Sequence, residues 1–299
     1  MTHVLTLIAN PATRPLDDAD SELARSSLPG ATDADWLSPG EACDLPFAPD
    51  TEAAFSQAAK AIQAELEALP IDIVAQPLEM RRKKLLVADM DSTLIGQECI
   101  DELADFAGLK PKIADITERA MRGEIEFEPA LRERVGLLEG LAQDVLEQVF
   151  RERITLTPGA RTLARTMTEN GAKTVIVSGG FTFFTERVAK AAGFDTHHAN
   201  VLETADGKLT GTVREPILGQ QAKLDTLRSY TSELSLKREE TMAVGDGAND
   251  LAMIGEAGLG IAFRAKPLVA EKARASINHG DLTALLFAQG YRRQQFVGD

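Results

Sequence analysis

Residues 84–93 read Lys-Leu-Leu-Val-Ala-Asp-Met-Asp-Ser-Thr, and this stretch decides the fold. Leu85–Ala88 is an unbroken apolar run with no polar alternation, so it suits a strand covered on both faces. Such a strand belongs to a parallel sheet with helices on either side. The same form recurs downstream in Thr174–Val177, Thr241–Val244 and Leu259–Ala262, each leading through a polar or glycine-rich turn towards a helix. Together with Leu85–Asp89 these segments predict an α/β protein with a Rossmann-like parallel sheet. Residues 97–155 read as almost wholly helical, most simply a helical cap inserted between two sheet strands. Within Asn200–Val213, Asp206-Gly207 between two strand-like runs predicts a small β-hairpin.

Upstream, composition changes at the basic run Arg81-Arg82-Lys83-Lys84. Residues 1–80 carry a net charge of −11 and residues 81–299 only −3, and six of the 13 prolines fall within residues 11–49. A domain boundary is expected there, between residues 1–80 and 81–299. The N-terminal part still reads as folded. Strands are expected at His3–Ile8, around Trp36, at Cys43–Phe47 and at Ile71–Pro77, with helices at Asp17–Leu28 and Thr51–Leu69. That order is βαββαβ, a small α+β sandwich.

Composition bounds the setting. The chain has 299 residues, 44% hydrophobic and 26% charged, which is the balance of an ordinary globular protein long enough to bury a core. Cys43 and Cys99 lie outside any CxxC pair, which points to a reduced, intracellular compartment. A net charge of −14 argues against nucleic acid or anionic lipid as a partner. No apolar run approaches the ~20 residues of a membrane span. The first fifteen residues show neither a basic leader nor a long apolar stretch, so a cytoplasmic location is expected.

Ligands of open parallel sheets bind beyond the carboxyl ends of the strands. Those ends carry Asp89-Met-Asp91-Ser-Thr93, Ser178-Gly179-Gly180 and Gly245-Asp246-Gly-Ala-Asn249-Asp250. Asp89 and Asp91 are two apart, so an extended strand end would point both the same way. Two carboxylates pressed together call for a divalent cation with oxygen ligands. Each of these groups could instead cap the helix after its strand, an equally good account of any one of them. It is a poor account of all three together. Gly245-x-Gly247 does not continue as a dinucleotide fingerprint, because Asp250 stands where glycine is needed. There is no Walker A sequence.

DMDST at 89–93, SGG at 178–180, Lys223 within QQAK and GDGAND at 245–250 resemble, in order and in position after strands, the four motifs of the haloacid dehalogenase-like phosphatases. Glu98 in GQECIDELA, the segment from Arg122-Gly123 through Phe127 to Arg134-Val135, and VSGGFT are similar to the phosphoserine phosphatase branch of that family. The resemblance covers residues 81–290. It implies Mg²⁺-dependent hydrolysis of O-phosphoserine through an aspartyl-phosphate, the last step of serine biosynthesis. By the same resemblance Asp89 is the nucleophile and Asp91 the proton donor and acceptor. The Asp89 side chain, the Asp91 carbonyl and Asp246 would hold the metal. Ser178, Gly179 and Lys223 would cover the phosphate, with Asn249 orienting it or a nearby water. Glu98 would take the substrate ammonium and Arg134 its carboxylate.

Plainer readings stand beside these roles. Lys223 could be a solvated helix lysine, and Arg134, in the run Arg132-Glu133-Arg134, could lie on a solvated helix face. Phe127 could line the substrate or simply fill core. A phosphotransferase passing phosphate to an alcohol such as homoserine would share the motifs. The βαββαβ order of residues 1–80 is similar to amino-acid-binding ACT modules, so a sensing role is a further alternative. That segment is expected to dock on the catalytic domain or to pair two copies as a homodimer.

Overall fold

The computed structural model describes residues 1–121 and 124–298. The N-terminal part runs β1 (His3–Ala9), α1 (Asp18–Ser26), β2 (Asp35–Ser38), β3 (Ala42–Phe47), α2 (Glu52–Glu65) and β4 (Ile71–Pro77). Its strands form an antiparallel sheet of order β2-β3-β1-β4, the split βαβ arrangement that the sequence predicts. The helix starts have local causes. Asp17 accepts from Asp20 N (3.0 Å) while Asp20 accepts from Asp17 N (3.1 Å), and Thr51 Oγ1 accepts from Ala54 N (3.1 Å).

β1 is buried on both faces, and its alternation sorts two cores. Leu5, Leu7 and Ala9 pack with Leu45, Phe47 and Ile62 under the helices of this module. Ile8, with Leu37, Ala42 and Val74, packs instead into the core of the larger part of the chain, which includes Leu282, Leu286 and Phe287. The seam is also polar. Arg81, 8% exposed, spans both oxygens of Asp44 (2.6 and 2.7 Å) and donates to Thr6 Oγ1 and the carbonyls of Phe287 and Ala288. Asp72 accepts from the backbone N–H groups of Asn278, His279 and Gly280. The module is therefore docked within the same chain, through apolar contact and buried hydrogen bonds.

The larger part begins with β5 (Leu85–Ala88), followed by α3 (Cys99–Phe106), α4 (Lys110–Met121), α5 (Phe127–Gly136), α6 (Asp144–Arg153) and α7 (Ala160–Glu169). Next come β6 (Lys173–Phe181), α8 (Thr182–Ala192), β7 (Thr196–Asn200), the hairpin strands β8 (Leu202–Ala205) and β9 (Lys208–Val213), and α9 (Gln220–Glu233). β10 (Thr241–Gly245), α10 (Leu251–Glu256), β11 (Leu259–Phe263), α11 (Pro267–Lys272), β12 (Ala275–Ile277) and α12 (Ala284–Ala288) complete it. Among the described residues, β12-β11-β10-β5-β6-β7 form one parallel sheet in that order. Alternate residues of β5 face opposite ways: Leu85 and Val87 pack under Leu227 and Met253, Leu86 and Ala88 towards Leu163 and Phe184. This is the α/β core of the expected fold class.

Three details differ from the sequence reading. β5 ends at Ala88, and the chain then turns through Met90–Leu94 with a kink at Ser92 (φ 54°). Ladder pairing stops one residue before Asp89, although Asp89 and Asp91 themselves keep extended backbone. β6 continues through Ser178-Gly179-Gly180 to Phe181, and β7 and β12 add edge strands that the sequence reading did not include. The cap is α3–α6, as expected, and the hairpin joins it: Gly140 N donates to Leu209 O and Leu209 N to Leu141 O, both at 2.9 Å. Asp206 (φ 49°) and Gly207 (φ 75°) make the hairpin turn with the handedness that suits twisted strands. Of the segment likened to the phosphoserine phosphatase branch, Arg122 and Gly123 lie outside the described residues.

Candidate active site

Strand order reverses at β5, which lies between β6 and β10, so the crevice of the sheet opens beyond Ala88. Asp89 follows directly, with its N–H on Val244 O (3.0 Å) and its Oδ1 accepting from Met90 N (2.8 Å). The α-helix after β5 begins only at Cys99, so Asp89 does not cap it, and the contact with Met90 is local and occupies one oxygen. The other, Oδ2, lies 2.6 Å from Lys223 Nζ.

Lys223 is 1% exposed, which rules out a solvated helix lysine. Its ammonium also lies 2.6 Å from Asp250 Oδ1, and Asp250 Oδ2 accepts from Gly247 N (3.0 Å). Burial alone would lower the Lys223 pKa, but Asp250 and Asp89 outweigh it and hold the ammonium charged. Two carboxylates share that one cation. Burial and the charge of Asp250 push Asp89 well above the usual carboxylate range, with Lys223 opposing. Asp246, half-buried, is raised by burial and then by Asp250, while a hydrogen bond from Thr93 Oγ1 (3.2 Å) opposes.

Carboxylate oxygens of Asp89, Asp246 and Asp250 lie within 4.8 Å of one another. In sequence Asp250 has no role of its own beyond its place at the strand end, whereas the structure puts it in the carboxylate cluster and on Lys223. Its sequence signal is its place in GDGAND, directly beyond the end of a core strand. The Asp91 carboxylate is committed elsewhere. Its Oδ1 accepts from Cys99 N (2.9 Å) and its Oδ2 from Ser178 Oγ (3.0 Å). Burial raises its pKa, against those donors. Ser178 Oγ in turn accepts from Gly180 N (2.8 Å), and a side chain at Gly180 would stand 2.7 Å from Asp91 Oδ2. The glycine there is a requirement of close approach.

The cap contributes the remaining groups. Glu98, at the entry to α3, accepts from Ser92 Oγ (2.6 Å). Its side chain keeps solvent contact, yet the protein crowded around the carboxyl, with the charges of Asp91 and Asp246, pushes it up to about 7. Arg134 on α5 is half-buried, with Nε on Ala130 O (3.2 Å). Burial lowers its guanidinium, while Asp101, Glu98 and Asp91 pull the other way. The charges of those three carboxylates reach it, whereas its neighbour Arg132 is exposed and paired with Glu215. Phe127, at the start of α5, lies over Gly179: a Cβ there would stand 3.0 Å from its ring. Its ring also packs on the main core, which is the plainer of the two readings of Phe127. Asn249 is half-buried beside Gly247.

A buried ammonium and a hydroxyl thus face an acidic, oxygen-lined crevice. The arrangement suits an oxyanion such as a phosphate group together with a hard cation.

Comparison with known proteins places this arrangement. Residues 86–255 match the family model described as haloacid dehalogenase-like hydrolase. A phosphoserine phosphatase of Polaromonas sp. (strain JS666) is 45% identical over 223 residues, 73% of this chain and 94% of that protein. The unliganded crystal structure of a probable phosphoserine phosphatase from Vibrio cholerae superposes with a TM-score of 0.78 at 32% identity, covering 98% of this chain and 88% of that one. A substrate-bound phosphoserine phosphatase complex superposes with a TM-score of 0.64 at 41% identity, covering 69% of this chain and 98% of that one. On the strand-end carboxylates, the buried lysine and these likenesses, the chain belongs to the haloacid dehalogenase-like hydrolase family, in its phosphoserine phosphatase branch.

Proposed function

We propose that this chain hydrolyses O-phosphoserine to serine and inorganic phosphate through an aspartyl-phosphate on Asp89, in the cytoplasm, as the last step of serine biosynthesis. The observation that carries the reading is the pairing of buried Lys223 with Asp89 at the crevice, next to Ser178 and under a cap bearing Glu98 and Arg134.

The obstacle is electrostatic. An anion 4 Å from a phosphate dianion, at an effective dielectric of ~20, is repelled by roughly 8 kcal/mol. The all-oxygen donor set of Asp89, Asp246 and Asp250 fits a hard divalent cation. Asp89, Asp246 and the Asp91 carbonyl would hold Mg²⁺, which when bound cancels part of that repulsion. Lys223, the Ser178 hydroxyl and backbone N–H groups beside Gly179 cover the phosphate oxygens. A carboxylate oxygen of Asp89 bonds to phosphorus as the phosphorus–oxygen bond to serine breaks. Asp91, whose pKa burial raises, gives the departing oxygen its proton. It then takes a proton from the water that attacks phosphorus and releases Asp89. Glu98 pairs with the substrate ammonium and Arg134 grips its carboxylate.

Phosphate release should be followed from a panel of small phosphomonoesters, with Mg²⁺ and with chelator, and with homoserine added as an acceptor. Release from phosphoserine that needs Mg²⁺, with label trapped on Asp89 after acid quench, supports the reading. Label on a serine or histidine, or phosphate appearing on homoserine instead of in solution, counts against it.

A further inference from the structure

We infer that Asn200, at the end of β7, is a positioning residue for phosphoryl transfer: its carboxamide fixes the distance between the Ser178–Gly180 segment and the start of α9, which carries Lys223. The inference rests on the reading of this crevice as a phosphomonoester site, and it concerns a residue whose hydrogen bonds run to the backbone of Gly179 and Leu218.

The need for such a residue follows from the sheet. Pairing of β6 with β7 is regular through Val177, shifts, and resumes only at Phe181 opposite Asn200. Ser178, Gly179 and Gly180 therefore lack regular ladder bonds on that side. Asn200, 2% exposed, supplies what the ladder does not. Its Nδ2 donates to Gly179 O (2.9 Å) and to Leu218 O (3.1 Å), and its Oδ1 accepts from Leu218 N (2.7 Å). Both ends of the carboxamide are used, so it pairs with Leu218 as another peptide unit would.

Each side of this clamp leads to a reacting group. Gly179 C=O and Gly180 N–H belong to one planar trans peptide, so pinning the carbonyl to Asn200 turns the N–H the opposite way. That N–H meets Ser178 Oγ (2.8 Å), and Ser178 Oγ meets Asp91 Oδ2 (3.0 Å). On the other side, Leu218 precedes Gly219, the N-cap of α9, and the first turns of α9 place Lys223 against Asp89. Asn200 thus ties together two segments expected to cover the same phosphate. Misplacement by an ångström of groups that must converge on one transition state can cost about a hundredfold in rate.

The test compares Asn200→Asp and Asn200→Ala with a matched control. Asp keeps the size and the acceptor for Leu218 N–H but cannot donate to either carbonyl. Gln289→Ala is the control: Gln289 is also a buried carboxamide bridging segments, but it bonds Lys83 N and Leu285 O at the amino end of β5, away from the crevice. Phosphoserine and p-nitrophenyl phosphate turnover, inhibition by inorganic phosphate and thermal midpoint are measured at a temperature where each variant is folded. The expected result is a fall in kcat of about 30-fold or more on both esters for the Asn200 variants, with weaker phosphate inhibition. Gln289→Ala should lower the midpoint and leave kcat within about twofold. A folded Asn200→Asp with kcat and phosphate inhibition within about threefold of wild type overturns the inference. If neither variant folds, hydrogen exchange on the wild-type protein decides: inorganic phosphate should protect residues 178–180 and 218–223 together, and protection of one segment alone overturns it. A wild type active on p-nitrophenyl phosphate but not on phosphoserine would sink the substrate reading while leaving this test intact. One that cleaves neither ester sinks both.

Discussion

Lys223 Nζ lies 2.6 Å from Asp89 Oδ2, with both side chains buried, and this pair sets the charge balance of the crevice. One ammonium serves two carboxylates there, since Asp250 is equally near. Removing the cation leaves uncompensated buried charge, which typically costs ~3–5 kcal/mol. Lys223→Met should therefore lose stability as well as activity. Asp89→Asn removes the surplus charge instead, so it should lose turnover while its thermal midpoint stays level or rises. Thermal unfolding of the two variants without added metal checks the opposite signs. A large drop for Asp89→Asn would mean that the pair serves the fold first.

The cap pair makes a substrate prediction. If Glu98 takes the ammonium and Arg134 the carboxylate, phosphoethanolamine and phospholactate should each be much poorer substrates than phosphoserine. Loss of one partner of a buried charge pair costs ~2–5 kcal/mol, or about 30- to several-thousand-fold in kcat/KM. Arg134→Ala should harm phosphoserine and spare phosphoethanolamine, which has no carboxylate to lose. Equal loss on both would reassign Arg134 to the phosphate or to α5 itself.

Stability should depend on pH through Lys83, remote from the crevice. Its Nζ is buried, donating to Met80 O (3.0 Å) and Glu239 O (2.8 Å), and burial lowers its ammonium to about 8. An unfolded lysine titrates near ~10.4. Below pH ~8 both states hold the proton. Between that value and ~10.4 the unfolded chain keeps a proton that the folded chain has released, so folding gains with rising pH, by at most about 3 kcal/mol. Relative to Lys83→Met, the wild type should gain stability from pH 7.5 to pH 10 in denaturant titrations. A flat difference would show that Lys83 keeps an ordinary pKa.

Much of this arrangement was legible before any coordinates. Leu85–Ala88 and its counterparts announce themselves because strands covered on both faces must be apolar throughout, and the polar residues after them mark the crevice edge. The edges of the sheet were not legible. β7 reads Thr-His-His-Ala-Asn, half exposed and polar, and β12 has three residues, so neither carries a periodic signal. The burial of Lys223 was hidden for another reason. It depends on Asp89, Asp250 and α9 meeting in space, and a helix lysine looks the same in sequence whether it meets them or water. Asp250 is visible in the sequence at the same strand end as Asp246, but its bond to Lys223 is not, because that lysine comes from another helix. In sequence Arg81 reads as one member of a basic boundary run, and its partners Asp44 and Thr6 are visible only once the N-terminal sheet is folded against it.

That last pair bears on what residues 1–80 contribute. Every group assigned to chemistry lies between Asp89 and Asp250, so a chain beginning at residue 81 keeps the crevice and the cap. It does not keep its surroundings. Arg81 loses Asp44 and Thr6, the N–H groups of 278–280 lose Asp72, and the apolar face that meets Ile8, Leu37 and Val74 is opened to water. Each unsatisfied buried donor costs ~1–3 kcal/mol, unless water reaches it. The shortened chain should therefore retain kcat/KM on phosphoserine within about tenfold per folded molecule, a difference of ~1.4 kcal/mol in barrier. Its thermal midpoint should drop by far more than the activity suggests. In the full chain, Asp72→Ala should reproduce part of that drop without touching kcat, because it strips three N–H groups at the seam and nothing at the crevice. Active-site titration alongside calorimetry separates the two effects. A folded, monodisperse shortened chain without measurable activity would place an essential group in residues 1–80, and an unchanged midpoint would make the seam a contact of no energetic weight.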